Sequence, residues 1–424
     1  MKRVLLIATT TGYQIRSFGD AARKAGATLL FATDRCDQLD DPWMDEAVPV
    51  RFLDKQRDID AVLAACGNRR PDAVIAVGDR PTVLAAHLNA ALALPGNPPG
   101  AAVRSRDKLQ ARAALFKAGM LVPRFRAVSL EDDAEAVAAA TEYPAVLKPL
   151  ALSGSRGVMR VNDGREFTTA FERLRRLMQS LDIRLERDAV HTAALVESFV
   201  SGHEFAVEGV LTHGEFRPFA IFDKPDPLDG PFFEESIYVT PSRQPDAVQQ
   251  RIIDTIAAAT EALGLNHGSI HAECRVNDTG VYVLEVAARP IGGLCSRALR
   301  FIDAGQPGAA GPLSLEDILL RHALGEDIAH YRREARASGV MMIPIPQRGI
   351  LRDVQGIEAA RSVARVNDVQ ITAKRDSLLV PLPEGRSYLG FIFAHGRDPA
   401  EAESALRQAH AALQFVIDRD VAVV

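Results

Sequence analysis

"SIHAECRVNDTGVYVLEVAARP", residues Ser269 to Pro290, sets two apolar runs on either side of Asn277-Asp278-Thr279-Gly280. A turn of that composition between such runs predicts a β-hairpin. From the turn centre, Glu273 lies about five residues back and Glu285 about six or seven forward. The two carboxylates therefore become near neighbours across the strand pair, where like charges repel unless a cation lies between them. Oxygen ligands without a histidine cluster favour Mg²⁺, with Mn²⁺ the alternative, and such an ion takes one or two carboxylates plus phosphate oxygens. His271 shares the face of Glu273. Arg289, Pro290, Gly292 and Gly293 follow the second strand. In the competing reading, Glu285 and Arg289 form a structural ion pair in an ordinary hairpin.

If phosphates are present, other parts of the chain must hold them. Lys148 ends the apolar run Ala145 to Lys148, and Ser153-Gly154-Ser155-Arg156-Gly157 follows before a strand from Val158 to Val161. Backbone N–H groups of that loop, with Arg156 and Lys148, suit one anion. A glycine-rich loop alone is a weak signal; joined to Lys148, Glu273 and Glu285 it is a much stronger one for nucleotide phosphates. Gly292 and Gly293 permit close backbone approach, and a helix expected near Leu294 would aim its first N–H groups at the same anion.

Upstream, the runs Val4 to Ala8, Thr28 to Ala32 and Ala73 to Val77 alternate with helical patterns at Ser17 to Ala25 and Ile59 to Cys66. This is the rhythm of a parallel βαβ sheet, whose ligands bind beyond the carboxyl ends of the strands. Thr9-Thr10-Thr11-Gly12 and Asp79 stand at such ends, and Asp79 either touches substrate or caps the helix after Pro81. No GxGxxG follows the first strand, which removes the dinucleotide fingerprint. Further helices are expected over Arg106 to Ala118, Glu166 to Arg187 and Asp246 to Leu263, and a small α+β unit from Val340. The long loop Phe222 to Pro241 carries Lys224, Glu234 and Glu235 as substrate-facing candidates, against a solvated surface loop.

With 424 residues, several domains are expected. Fifty Lys and Arg against 55 Asp and Glu leave a net charge of −5, so neither nucleic acid nor an anionic membrane is an expected partner. The first apolar run is about six residues long, too short for a signal or spanning segment, so a cytoplasmic location is expected. Cys36, Cys66, Cys274 and Cys295 are scattered without CxxC pairing, which points to reduced thiols.

Taken in order, these motifs resemble the ATP-grasp superfamily, and within it the carboxylate–amine ligases of the L-amino acid ligase branch. Lys108 and Lys148 look like its two nucleotide lysines, and Ser153, Gly154, Ser155 and Gly157 like its mobile lid. Glu197, Phe199 and Val200 resemble the adenine hinge, and Glu204 the ribose-binding glutamate. Glu273 and Glu285 match its metal ligands and Arg289 its reactive arginine, with Asp79 and His271 on the substrate side. Tyr388 to Ala394 resembles the amino acid ligase C-terminal domain. The commonest pattern carries an asparagine ligand where this chain has Ala287. The resemblance implies an N-terminal Rossmann-like domain over 1–105, small and large ATP-grasp subdomains over 106–196 and 197–335, and a C-terminal α+β domain over 336–424. It further implies ATP and Mg²⁺, small-molecule carboxylate and amine substrates, a homodimer, and amide formation through an acyl phosphate. The alternatives are a purine-pathway type of enzyme using bicarbonate or formate, a biotin carboxylase, and a non-catalytic nucleotide-binding module.

Overall fold

The computed structural model describes residues 1–9, 13–34, 47–305 and 311–419. Thr10 to Gly12 and Cys36 lie outside the described residues. The first unit is a parallel sheet in the order Ala47–Pro49, Thr28–Thr33, Arg3–Ala8, Ala73–Val77. Every residue of Arg3–Ala8 is buried, as a strand covered on both faces requires. Helices Ile15–Lys24, Lys55–Cys66 and Asp79–Leu92 complete the βαβ pattern.

The segment after Leu94 turns straight into a helix, Pro99–Arg106, with proline in its first turn. The helix expected from Arg106 begins instead at Lys108, because the Asp107 side chain accepts from the Leu109 and Gln110 N–H groups and caps it. A small lobe follows, an antiparallel sheet in the order Phe125–Ser129, Ala193–Ser198, Ala145–Pro149, Met159–Val161. Helix Gly164–Met178 buries Phe167, Phe171 and Leu174 against it. Expected to reach Arg187, this helix stops at Met178. Beyond that point Leu181 and Leu185 are exposed, so the apolar stripe that would hold another turn on the sheet is lost.

An antiparallel sheet of eight strands forms the rest of the frame. Its order is Gly280–Ala287, Gly268–Asn277, His203–Thr212, Glu215–Asp223, Ile237–Thr240, Ala337–Ile343, Gly390–Gly396, Val366–Ile371. Strands on both sides of residue 336 thus share one sheet. Helix Asp246–Leu263 packs on its first half and helix Pro399–Ala411 on its second. The tail also holds Gly349–Gln355 paired with Gln414–Arg419 in a smaller sheet. The helix expected near Leu294 is a correction: the chain makes one 3₁₀ turn, Cys295–Ala298, then enters strand Arg300–Asp303. Four residues leave no helix N-terminus to serve an anion.

One buried guanidinium joins these parts. Arg112, on helix Lys108–Lys117, has a side chain only 2% exposed. Its Nε donates to Glu197 Oε1 of the small lobe at 2.7 Å, and its two terminal nitrogens donate to the Val283 and Leu284 carbonyls at 2.5 and 3.0 Å. Removing one partner of a buried charge network typically costs about 3–5 kcal/mol. Arg112→Leu is therefore expected to lose about 3 kcal/mol in urea denaturation, and a loss under ~1 kcal/mol would contradict this role.

Candidate active site

A cleft of about 940 Å³ opens where the first unit, the small lobe and the eight-stranded sheet meet. Of the nucleotide, metal and substrate candidates singled out from sequence, all but Gly157, Lys224 and Glu234 line it. Gly157 has φ +76°, and a Cβ there would come within 3.1–3.2 Å of Leu174, Leu177 and Pro149, so its role is packing. The hairpin forms as expected, with Asn277 opposite Gly280. Its register slips once: Cys274 faces Val283 and Glu273 faces Glu285, leaving Leu284 as the bulged residue. Continuing the first register would have set Glu285 opposite Ala272, on the other face of the sheet. The bulge puts both carboxylates on the cleft face, and Arg112 grips its two carbonyls.

Three sets of charges then surround that pair. Lys108 Nζ lies 3.5 Å from Glu285 and donates to the Leu152 carbonyl at 2.8 Å. Buried Lys224 stands 2.8 Å from Glu204 and 3.1 Å from Glu273, and also pairs with Glu235. Carboxylate oxygens of Glu204, Glu235 and Glu273 lie within 4.8 Å of one another. Burial would raise Glu273, but Lys224 and His271 outweigh it and hold it well below the ordinary range. Burial, then the charge of Glu273, pushes Glu235 up to about 7. Glu204 also accepts from Arg275 at 2.8 Å. Lys224, expected at most to face substrate from a loop, is a buried hub, and Glu235, half-buried like Glu234, pairs with it.

His271 Nδ1 lies 2.6 Å from Glu208 and its Nε2 3.5 Å from Glu273. Burial opposes its charge, yet hydrogen bonds to Glu208 and Glu273 carry its pKa to about 9. Glu208 was missed from sequence. Its signal is the period of two: Glu204 and Glu208 share one face of their strand, and Glu208 is the register partner of His271.

On the small lobe, Lys148 is bound to Glu197 at 2.5 Å, and burial, the strongest influence on it, lowers its pKa. The glycine-rich loop runs through Gly154 and Ser155, both with positive φ. Arg156, expected to face phosphate, is instead paired with Asp182 at 2.7 Å and donates to the Glu384 carbonyl at 2.9 Å. Phe199 and Val200 follow Glu197 along the wall. Opposite them, Arg289 pairs not with Glu285 but with Asp79, two-pronged at 2.8 and 3.3 Å. Burial would raise Asp79, and Arg289 outweighs it, leaving the carboxyl below its ordinary value. Asp79 does not cap its helix; the N-cap is Gly78. Gly293, at φ +61°, turns the chain where a Cβ would press on Phe391 at 3.0 Å, whereas Gly292 borders open space. Ala287 is buried and offers no ligand atom. From the far domain, Arg386, Ser387 and Tyr388 complete the cleft.

Two lysines, an acidic pair and a glycine-rich loop thus converge on one cleft. Residues 141–298 match the ATP-grasp domain family and residues 341–418 the L-amino acid ligase C-terminal domain 2. The chain belongs to the ATP-grasp superfamily and carries the C-terminal domain of its L-amino acid ligase branch. Its structure is similar to L-amino acid ligase from Bacillus licheniformis, with a TM-score of 0.81, 25% identity and 99% of each chain covered. Alanine–anticapsin ligase of Bacillus subtilis is 27% identical over 202 residues, 45% of this chain and 42% of that one. D-alanine–D-alanine ligase of Desulforudis audaxviator is 30% identical over 231 residues, 52% of this chain and 68% of that one. The chain spans 64% and 42% of the length of the first two curated relatives that it matches.

Protonated His271 gives a pH signature. Its folded pKa, about 9, lies above the ordinary 6.5, so its stabilising effect is fully present below about pH 6.5 and disappears as pH rises through about 9. In metal-free protein, the gap in thermal midpoint between wild type and His271→Gln is expected to shrink over that window. A gap that stays constant from pH 6 to pH 10 would contradict the protonated state.

Proposed function

We propose that the protein is an ATP-dependent ligase that joins a carboxylate, an amino acid, to an amine and releases ADP and phosphate. The observation that carries this is the convergence of Lys108, Lys148, Glu273, Glu285 and Arg289 on one cleft walled by an amino acid ligase C-terminal domain. The names of the relatives, an L-amino acid ligase and an alanine–anticapsin ligase, support it. That C-terminal domain argues against the bicarbonate- or formate-using alternative.

The donor set fits a hard divalent cation. Glu273 and Glu285 are opposed on one face with oxygen donors only, and the neighbouring Lys108 and Lys224 suit the phosphates such an ion would accompany. Mg²⁺, or Mn²⁺, held by these two glutamates would neutralise charge on the phosphate oxygens. Lys108 and Lys148 would hold the nucleotide phosphates, the lid would shelter them, and Phe199 and Val200 would border the base. In the first step a carboxylate oxygen of the amino acid attacks the γ-phosphorus, the bond to ADP breaks, and an acyl phosphate forms. In the second the amine nitrogen attacks the acyl carbon, phosphate departs, and the nitrogen loses a proton. Arg289, held by Asp79, would stabilise the oxyanion of that second step. Acyl phosphates hydrolyse, so the closed cleft must exclude water until the amine arrives. We propose further that the enzyme works in the cytoplasm as a homodimer, which light scattering tests. Among the described residues, no helix is long and apolar enough to cross a membrane.

A phosphate-release screen over pairs of amino acids and amines with Mg-ATP, followed by mass spectrometry of the product, tests the activity. No phosphate release with any pair would count against it. Glu285→Ala is expected to abolish ligation in a folded protein, and wild-type turnover by that variant would remove the metal assignment. Arg289→Ala is expected to keep ATP affinity by calorimetry while slowing ligation about 10²–10³-fold, the usual cost of losing one transition-state donor. Arg289→Lys should recover only part of the rate, since an ammonium lacks the two-pronged geometry.

A further inference from the structure

The glycine-rich loop belongs to the small lobe, yet two of its hydrogen bonds go to the C-terminal domain. The Gly157 N–H donates to the Pro383 carbonyl at 2.8 Å, and Arg156 Nε donates to the Glu384 carbonyl at 2.9 Å. The Glu384 carboxylate returns the contact. Both its oxygens accept from Arg173 on helix Gly164–Met178, one of them at 2.8 Å. Two residues on, Arg386 reaches Asp182 at 3.4 Å, the carboxylate that also pairs with Arg156. Arg386, Ser387 and Tyr388 then enter the cleft wall. A single strap, residues 381–388, thus fastens the loop on one side and lines the cleft on the other.

We infer that Glu384 is a positioning residue for ligation: through Arg173 and its own carbonyl it fixes the glycine-rich lid against the C-terminal domain, coupling lid closure to the wall formed by Arg386 to Tyr388. The geometry favours this over incidental surface pairing. The Arg173–Glu384 contact uses both carboxylate oxygens, which confers orientation as well as energy. It also sits beside two backbone hydrogen bonds that a displaced strap would break together. A lid that closes only when the far domain is seated would keep the acyl phosphate from water until the amine's part of the cleft is also built.

This inference rests on the ligase reading, and the test separates the two. Amide hydrogen exchange at Gly157 and its neighbours needs no turnover. Glu384→Gln, which keeps the size and drops the charge, and Arg173→Ala should each accelerate that exchange about two- to fivefold, the range for a half-exposed pair supporting a local opening. Combining them should add little to either alone. In turnover, the same variants should raise the apparent KM for ATP and the ATP hydrolysis that occurs without amine, each about three- to tenfold, while kcat changes less. Exchange and KM both at wild-type values, in variants with the wild-type thermal midpoint, would overturn the inference. So would exchange that accelerates equally throughout the small lobe, because that marks a general loss of stability. A wild-type protein that ligates nothing would count against the ligase reading, and the exchange result would still decide the role of Glu384 in holding the lid.

Discussion

Arg112 is the constraint on which the site depends. A guanidinium can donate in three directions at once from a rigid plane, and here it satisfies a carboxylate of the small lobe and two carbonyls at a bulge in the edge strand of the large sheet. Bulged strands leave backbone groups without ladder partners, and buried ones must find others. Arg112 supplies them. In doing so it keeps Glu285 on the cleft face, and it shares Glu197 with Lys148. Glu285 and Lys148 are thereby positioned by one buried side chain on a connecting helix.

The charges of the cleft come already paired: Lys148 with Glu197, Lys224 with three glutamates, Arg289 with Asp79, Lys108 near Glu285. An isolated buried ion would be costly, so each is compensated within the protein. Such pairing stabilises little by itself, but it holds the groups in place before any ligand arrives. Preorganised charges of this kind stabilise developing negative charge without reorganising during reaction.

The shared sheet has a mechanical consequence. Strand Ile237–Thr240 pairs with Ala337–Ile343 by four register partners, so the wall carrying Tyr238 and the wall carrying Met342 move as one body. The small lobe joins this body through Arg112, the 381–388 strap and the 228–233 segment, whose Pro231 carbonyl accepts from the Arg160 N–H at 2.9 Å and whose Leu228 and Phe233 pack with Val146, rather than through a shared sheet. Relative motion is therefore cheapest at the small lobe, where a lid is needed.

Much of this was legible in the sequence because it is local. The hairpin around Asn277 to Gly280, the parallel rhythm of the first strands, helix Asp246–Leu263 and the motif order each depend on neighbours in the chain. Lys148, Glu273, Glu285 and Arg289 could be named from the charges placed around the hairpin and the glycine-rich loop, and Lys108 from the family resemblance. Tertiary structure decided what lies between distant segments. It chose Asp79 over Glu285 as the partner of Arg289, 210 residues away, and it turned Lys224 from a loop residue into a buried hub. It ended one helix at Met178, where the exposed Leu181 and Leu185 no longer continue the buried stripe, and it reduced the expected helix at Leu294 to a turn. The odd residue in the hairpin shows the division most clearly. Sequence spacing left Glu285 six or seven places from the turn centre. Only the bulge at Leu284, held by an arginine 171 residues away in the chain from Val283, determined which face it would share, because pairing parity is local while the groups that satisfy a bulge are not.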